Sequence, residues 1–359
     1  CTLLLDAMKS RVVTLLLYLV AYVSTSGKHY PGSIDDKKDN ITSYAYNQSE
    51  IHGVLGNHMP DYYGYERPCP NADDIAPCVC TYYADEHAMD LDCSAAESEE
   101  QLKQIFKADF PFKNFRTFNL QHNNKLKVLE SYVFNTISFE KITIYSNDFE
   151  VIEDHALDSC YETATYVNFN NDKITSFPFD VLSNFVNLKV FGMSSNSLSS
   201  VPADAFHGIT TLESVWIQSN TPNIVVTFRN LTNLKDIAMG GNSLTIIPTN
   251  FLKTGSTRLE SILLKFNAIS SVEPGAFDIV EGMRINMTTN SLSTLDEATW
   301  GPLFKGGVVL DASNNPLSCG CDIAWLFKED QMLEQVNRGT TCSDGEYIHN
   351  LDPSIFDFC

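Results

Sequence analysis

Residues 188–206 read LKVFGMSSNSLSSVPADAF, a run of regularly spaced apolar residues interrupted by one amide. Asn196 follows Leu188, Phe191 and Met193 at offsets of eight, five and three, and Leu198 comes two residues after it. The same figure returns in LKDIAMGGNSL (234–244) and LESILLKFNAI (259–269). Aligning the whole chain to L-x-x-L-x-L-x-x-N-x-L gives starts at 115, 139, 164, 188, 212, 234, 259, 282 and 307, at intervals of 22 to 25 residues. The asparagine column holds Asn123, Asn147, Asp172, Asn196, Asn220, Asn242, Asn267, Asn290 and Asn315.

A repeat of this length and pattern predicts a leucine-rich repeat solenoid, an α/β horseshoe. Each L-x-L segment is read as a short strand of a parallel sheet on the concave face, with irregular or single-turn helical segments on the convex face. The chain must turn sharply after each strand. An amide carries donors and an acceptor, so it can bond the backbone groups that the turn would leave unpaired. Asp172 lacks those donors, which predicts that the third coil is the weakest rung of the ladder. The second apolar sets, ITSFPFDVL (174–182), SSVPADAF (199–206), TIIPTNFL (245–252) and SSVEPGAF (270–277), are expected to pack back beneath the strands.

The chain has 359 residues, 43% of them hydrophobic, enough for a substantial core. Forty-five acids against 24 bases give a formal net charge of −21, which argues against a nucleic-acid partner. From Met8 the layout is that of a signal peptide, with Lys9 and Arg11 before the apolar run Val12–Val23 and small residues at Ser24 and Ser26. Residues 1–26 are therefore read as upstream sequence, which includes Cys1, plus signal peptide. Residues 27–68 form a flexible leader or pro-segment, 69–114 an N-terminal cap, 115–306 the repeats, and 307–359 the last repeat and C-terminal cap. No membrane anchor is read, and the product is expected to be secreted. Sequons at Asn40, Asn47, Asn230 and Asn286 agree with a glycoprotein.

Nine cysteines follow the signal segment. Cys69, Cys78, Cys80 and Cys93 precede the repeats, Cys319, Cys321, Cys342 and Cys359 follow them, and Cys160 stands between. In an oxidising compartment they are expected to pair rather than bind metal, although spacing alone allows three connectivities per cluster. The clusters resemble the caps that flank extracellular leucine-rich repeats. That resemblance implies Cys69–Cys80, Cys78–Cys93, Cys319–Cys342 and Cys321–Cys359, with Trp325 plugging the last coil. Cys160 is read as a buried free thiol, with an intermolecular bridge as the alternative.

No catalytic or metal-binding motif occurs, so no catalytic residue, metal or cofactor is expected. On the concave face, alternation turns the residues between the leucines toward solvent. Most are polar or small. The large apolar exceptions are Tyr145, Tyr166, Trp216, Leu263 and Phe266, which form the expected partner-binding set. A glycan on Asn286 would confine a partner to the coils before it.

Beyond the repeat, DIAPCVC (74–80), MDLDCS (89–94), FPFKNF (110–115), FEKITI (139–144) and ITSFPFDVL (174–182) resemble one arthropod family. It is named after the non-catalytic, leucine-rich subunit of shrimp luciferase, the oplophorus-luciferin monooxygenase. The likeness runs from about Cys69 to the C-terminus, close enough to read the chain as the founding subunit or a near homologue. The resemblance implies an accessory, non-enzymatic subunit of a secreted hetero-oligomer, whose separate catalytic subunit oxidises coelenterazine with O2 to give bioluminescence. The alternative is a free-standing secreted recognition or adhesion protein that binds a protein or glycan.

Overall fold

A computed structural model describes residues 68–220 and 226–359. The signal segment, all but the last residue of the 27–68 leader, Cys1, Asn40 and Asn47 lie outside the described residues.

Eleven strands form one sheet. The first two, Val79–Tyr83 and Ala88–Asp92, make an antiparallel hairpin, and the second pairs in parallel with the first repeat strand, Asn114–Gln121. Eight further parallel strands follow in chain order: Ser138–Tyr145, Tyr166–Asn168, Val190–Gly192, Ser214–Trp216, Asp236–Ala238, Ser261–Leu263, Arg284–Asn286 and Val309–Asp311. They define coils 1 to 9. The register never slips: Ile142, Val167, Phe191, Val215, Ile237, Ile262, Ile285 and Leu310 are successive partners, and all are buried. Slipping by one residue would turn the buried row outward, so the alternation itself fixes the pairing.

The buried asparagines are the second fixed row. Asn196 Nδ2 donates to Phe169 O of the preceding coil (2.7 Å) and to its own Met193 O (3.2 Å), while Oδ1 accepts Ile174 N–H (3.0 Å). Asn315 repeats the pattern at the far end, donating to Met287 O and Ala312 O and accepting from Leu292 N. At the near end Asn123 Nδ2 donates to Ser94 O and Ala96 O, which ties the ladder to the N-terminal cap. Each amide supplies the carbonyls of the strand row that the sheet's own bonds skip. Asp172 departs from the row, with Oδ1 accepting Asn147 N–H (2.9 Å) and Oδ2 buried without a partner.

A third regularity lies in the backbone. The residue before each ladder position is left-handed in all nine coils: His122, Ser146, Asn171, Ser195, Ser219, Gly241, Phe266, Thr289 and Asn314 have φ between 51° and 65°. This is the sharp turn that the amide closes. Glycine adopts it freely, and short polar residues do so at modest cost.

Behind the sheet the returning segments bury Phe179, Leu182, Phe206, Phe251 and Phe277, some from short 3-10 turns such as Phe179–Asn184. Coils 1 to 5 are filled by aromatic rings. Phe106, Phe118, Phe134 and Phe139 lie 4.9 to 6.2 Å apart, and Phe177, Phe191, Phe206 and Phe228 continue the stack. In the later coils the ring contacts resume at Phe277, Trp300 and Phe304, while the strand row carries Met239, Leu264 and Met287.

Both ends are closed. At the first, Cys69–Cys80 and Cys78–Cys93 pin the hairpin, and the helix Glu99–Ile105, capped by Ser98 accepting from Gln101 N, buries Leu102 and Ile105. At the last, the helix Glu297–Lys305 buries Trp300 and Phe304, and the Trp325 ring packs on Phe304 at 5.8 Å. Trp325 Nε1 donates to Leu295 O at 2.8 Å, so the indole seals the final coil with its one polar atom satisfied. Cys319–Cys342 and Cys321–Cys359 hold this cap. Cys160 is a buried free thiol, and burial pushes its pKa up to about 11, which leaves it unreactive.

Candidate functional site

The concave face is built from columns set by the register. One column runs Thr143, Asn168, Gly192, Trp216, Ala238, Leu263, Asn286, Asp311. Its neighbour runs Lys141, Tyr166, Val190, Ser214, Asp236, Ser261, Arg284, Val309. Size varies sharply along the first. Gly192, beside Trp216, has little room for a side chain: a Cβ there would lie 3.1 to 3.3 Å from the Asn168 and Asn170 amides, which close over it. The Trp216 ring meets Tyr166, two coils away, with centroids 6.3 Å apart at 71°.

Polar groups frame this aromatic pair. Asn168 Nδ2 donates to Tyr166 Oη (3.0 Å), Asn168 Oδ1 accepts Asn170 N–H (2.9 Å), and Asn170 Oδ1 accepts Ser194 N–H (2.5 Å). Ser194 Oγ in turn accepts Gln218 N–H (3.1 Å). The Tyr166 ring is thus held in place before any ligand arrives, with the Trp216 ring packed against it. Burial pushes the Tyr166 phenol upward, so it is a neutral hydroxyl at ordinary pH.

Along one rim the charges alternate. Glu213 lies 3.5 Å from Lys189 and 2.6 Å from Lys235, and the hydrogen bond from Lys235 lowers its carboxyl below the usual range. Where coil 1 meets the N-terminal cap, Arg116 is bidentate to Asp90 (2.9 and 2.7 Å), also pairs with Glu86, and lies over the Tyr83 ring at 4.4 Å. That pairing keeps the guanidinium charged and leaves it little freedom to engage a ligand.

The five apolar residues expected to bind a partner do not form one solvated patch. Tyr166 and Trp216 meet and are half-buried. Tyr145 is half-buried against His122 (6.2 Å), and its hydroxyl accepts from Asn171 Nδ2. Leu263 is half-buried, two places from Trp216 across Ala238. Phe266 alone is well exposed, at 57%. Strand alternation does not place it there, because the strand ends at Leu263 and Phe266 occupies the left-handed turn position, with Lys265 Nζ 5.8 Å above its ring. It is the one bulky residue in a column of small or polar ones.

Asn286 sits half-buried in the Trp216 column, its Oδ1 accepting from both N–H and Oγ1 of Thr288. Asn230 is exposed in a left-handed turn. Among the described residues no group of three or more His, Cys, Asp or Glu is placed to hold a metal ion, and no helix is long and apolar enough to cross a membrane.

Comparison with known proteins agrees with this architecture. The BspA type leucine rich repeat region matches residues 103–227 in six copies. The non-catalytic subunit of Oplophorus-luciferin 2-monooxygenase from Oplophorus gracilirostris is 28% identical over 315 residues, spanning 80% of this chain and 87% of that one. At that identity the chain is a relative of that subunit and not the subunit itself. A 105-residue stretch is 35% identical to mouse Toll-like receptor 9, covering 29% of this chain and 10% of the receptor. Among solved structures, a TLR13–ssRNA13 complex superposes with a TM-score of 0.53 at 22% identity, covering 62% of this chain and 31% of that one, a likeness of fold. The nine stacked strands, the amide ladder and the sequence match together make this chain a leucine-rich repeat protein, related at family level to the non-catalytic luciferase subunit of Oplophorus.

Proposed function

We propose that the chain is a non-catalytic accessory subunit that binds a protein partner through its concave face, and that the partner is a catalytic subunit oxidising coelenterazine with O2 to emit light. The observation carrying this reading is the extent of the match: it spans 80% of this chain and 87% of the Oplophorus subunit, well beyond the repeat region alone. The proposed contact surface centres on Tyr166 and Trp216, with Tyr145 and Leu263 flanking and Phe266 at the rim. A tyrosine fixed by a hydrogen bond, with a tryptophan packed on its ring, loses little side-chain freedom on binding, which favours such residues as anchors.

Secretion, a cleaved signal segment and glycosylation belong to the same proposal, and four disulfides in two caps support an oxidising compartment. A glycan on Asn286 would limit the partner to coils 1 to 7, and one on Asn230 would lie away from the strand columns.

The test is affinity purification of the tagged chain from native secretion, followed by addition of coelenterazine to the eluate. Light from a co-purifying chain is the expected result, with none from the purified chain alone. Turnover by the isolated chain would contradict a non-catalytic role. Capture of a microbial or matrix ligand without luminescence would favour the free-standing recognition reading, for which the shared stretch with Toll-like receptor 9 is the supporting observation.

A further inference from the structure

Asp172 is buried, with 7% of its surface exposed, and its Oδ2 has no hydrogen-bond partner. It occupies the column that holds asparagine in the other eight coils. Oδ1 has taken the accepting role of the amide oxygen, receiving Asn147 N–H as Asn147 Oδ1 receives Asn123 N–H. Oδ2 is left with the role of the amide nitrogen, which in coils 2 and 4 to 9 donates to a carbonyl of the strand row of the coil before.

Those carbonyls can be followed through the register. Asn147 Nδ2 serves Leu120 O and Asn196 Nδ2 serves Phe169 O. Leu120 pairs with Ile144 across coils 1 and 2, so the carbonyl belonging to Asp172 is that of Ile144. An ionised carboxylate cannot donate to it and places two acceptors together in the core. A carboxylic acid can donate.

We propose that Asp172 is a proton-dependent rung: with a proton on Oδ2 it donates to the Ile144 carbonyl and locks coils 2 and 3 together, and without that proton the rung opens.

The electrostatic surroundings agree. Burial raises the Asp172 carboxyl from its ordinary 3.8 to about 7, the backbone amides of Asn147 and Phe149 and the Asn147 side chain offsetting only part of the effect, and the charge of Asp148 adds to it. On the coil 2 side Asp148 is paired with Lys127 (3.0 Å) and Lys173 (2.7 Å), and Glu150 lies 3.8 Å from Lys127. On the coil 4 side Asn196 and Ser197, both uncharged, bond the backbone of Ile174, two residues beyond Asp172. Among the described residues no cation pairs with Asp172 to hold it ionised. Because the folded-state value lies above the unfolded one, the folded chain keeps a proton that the unfolded chain releases. The contribution is complete below about 4 and is lost as pH rises through about 7.

The experiment compares wild type with Asp172→Asn by thermal unfolding from pH 5 to 8.5, with hydrogen exchange of the Asn147 amide as a local readout. Asparagine fits this column eight times over, so the variant is expected to fold. The two proteins should melt within a degree or two of each other at pH 5, and the variant should lead by about 3–6 °C at pH 8.5. Wild-type Asn147 should exchange faster than the variant's above pH 7.5. A melting difference that stays constant across the range, or Asn147 protection that ignores pH in both proteins, would overturn the proposal.

Discussion

The core side and the concave side of the same nine strands obey opposite rules. Inside, every coil repeats: an apolar pair faces the core, a left-handed residue follows, and an amide closes the turn, with Asp172 the one ladder exception. Outside, the Trp216 column passes from glycine to tryptophan to alanine to leucine within four coils. A solenoid is held only by contacts between neighbouring coils, so whatever makes those contacts must recur. Side chains that recur nowhere are free of that duty. The difference separates residues that build the fold from those available to recognise something.

The sharpest way to break this division is to damage the ladder. Asn220 Nδ2 donates to Met193 O (3.0 Å), Gln218 O (3.2 Å) and Ile217 O (3.4 Å), and Oδ1 accepts Leu198 N–H (3.3 Å). Asn220→Ala strands several buried groups at once and is expected to cost about 3–5 kcal/mol in denaturant unfolding, since each orphaned group costs about 1–3 kcal/mol. A loss below about 1 kcal/mol would show that the column is not structural.

Trp216→Ala inverts the expectation. The ring is half-buried on a face with few neighbours, so the melting temperature should barely move while partner affinity falls by about 2 kcal/mol or more, the hot-spot threshold. Isothermal titration alongside calorimetry separates the two effects. Equal damage to both would assign the ring to the fold.

Phe266→Asn is expected to stabilise. A left-handed backbone costs an ordinary residue about 1–2 kcal/mol, and asparagine tolerates it better, while the exposed phenyl gives up little burial. The expected gain is about 1 kcal/mol, read as a melting temperature a few degrees higher. If binding weakens as stability rises, the strain is kept for recognition. The smallest effect belongs to the rim, where Lys235→Ala should cost under about 1 kcal/mol because its pair with Glu213 remains open to water.

The sequence revealed the interior well because interior contacts repeat, and repetition is visible without coordinates. The starts at 115, 139, 164 and onward each fall beside a strand, and the amide column is the ladder seen in space. The concave face was legible only as a list. Alternation shows which residues point out, but not that Trp216 meets Tyr166, since that contact joins coils whose strands do not pair. Phe266 was picked out for its size, whereas its placement comes from the turn and not from the strand. A signal for that turn was present in the Ser, Asn, Gly and Thr residues preceding most ladder positions. At Asp172 the missing donor could be read from sequence, but the stranded oxygen and the raised carboxyl required the packing around it.

The most direct test of the account titrates the purified wild-type chain and its Trp216→Ala variant against the catalytic chain recovered from native secretion, with coelenterazine light reporting the complex. The account predicts that wild type binds a light-emitting partner and that the variant, folded and melting as wild type does, binds at least about thirtyfold more weakly. A luminous partner held equally well by both proteins would move the site off the concave face, and the absence of any luminous partner would contradict the proposed function.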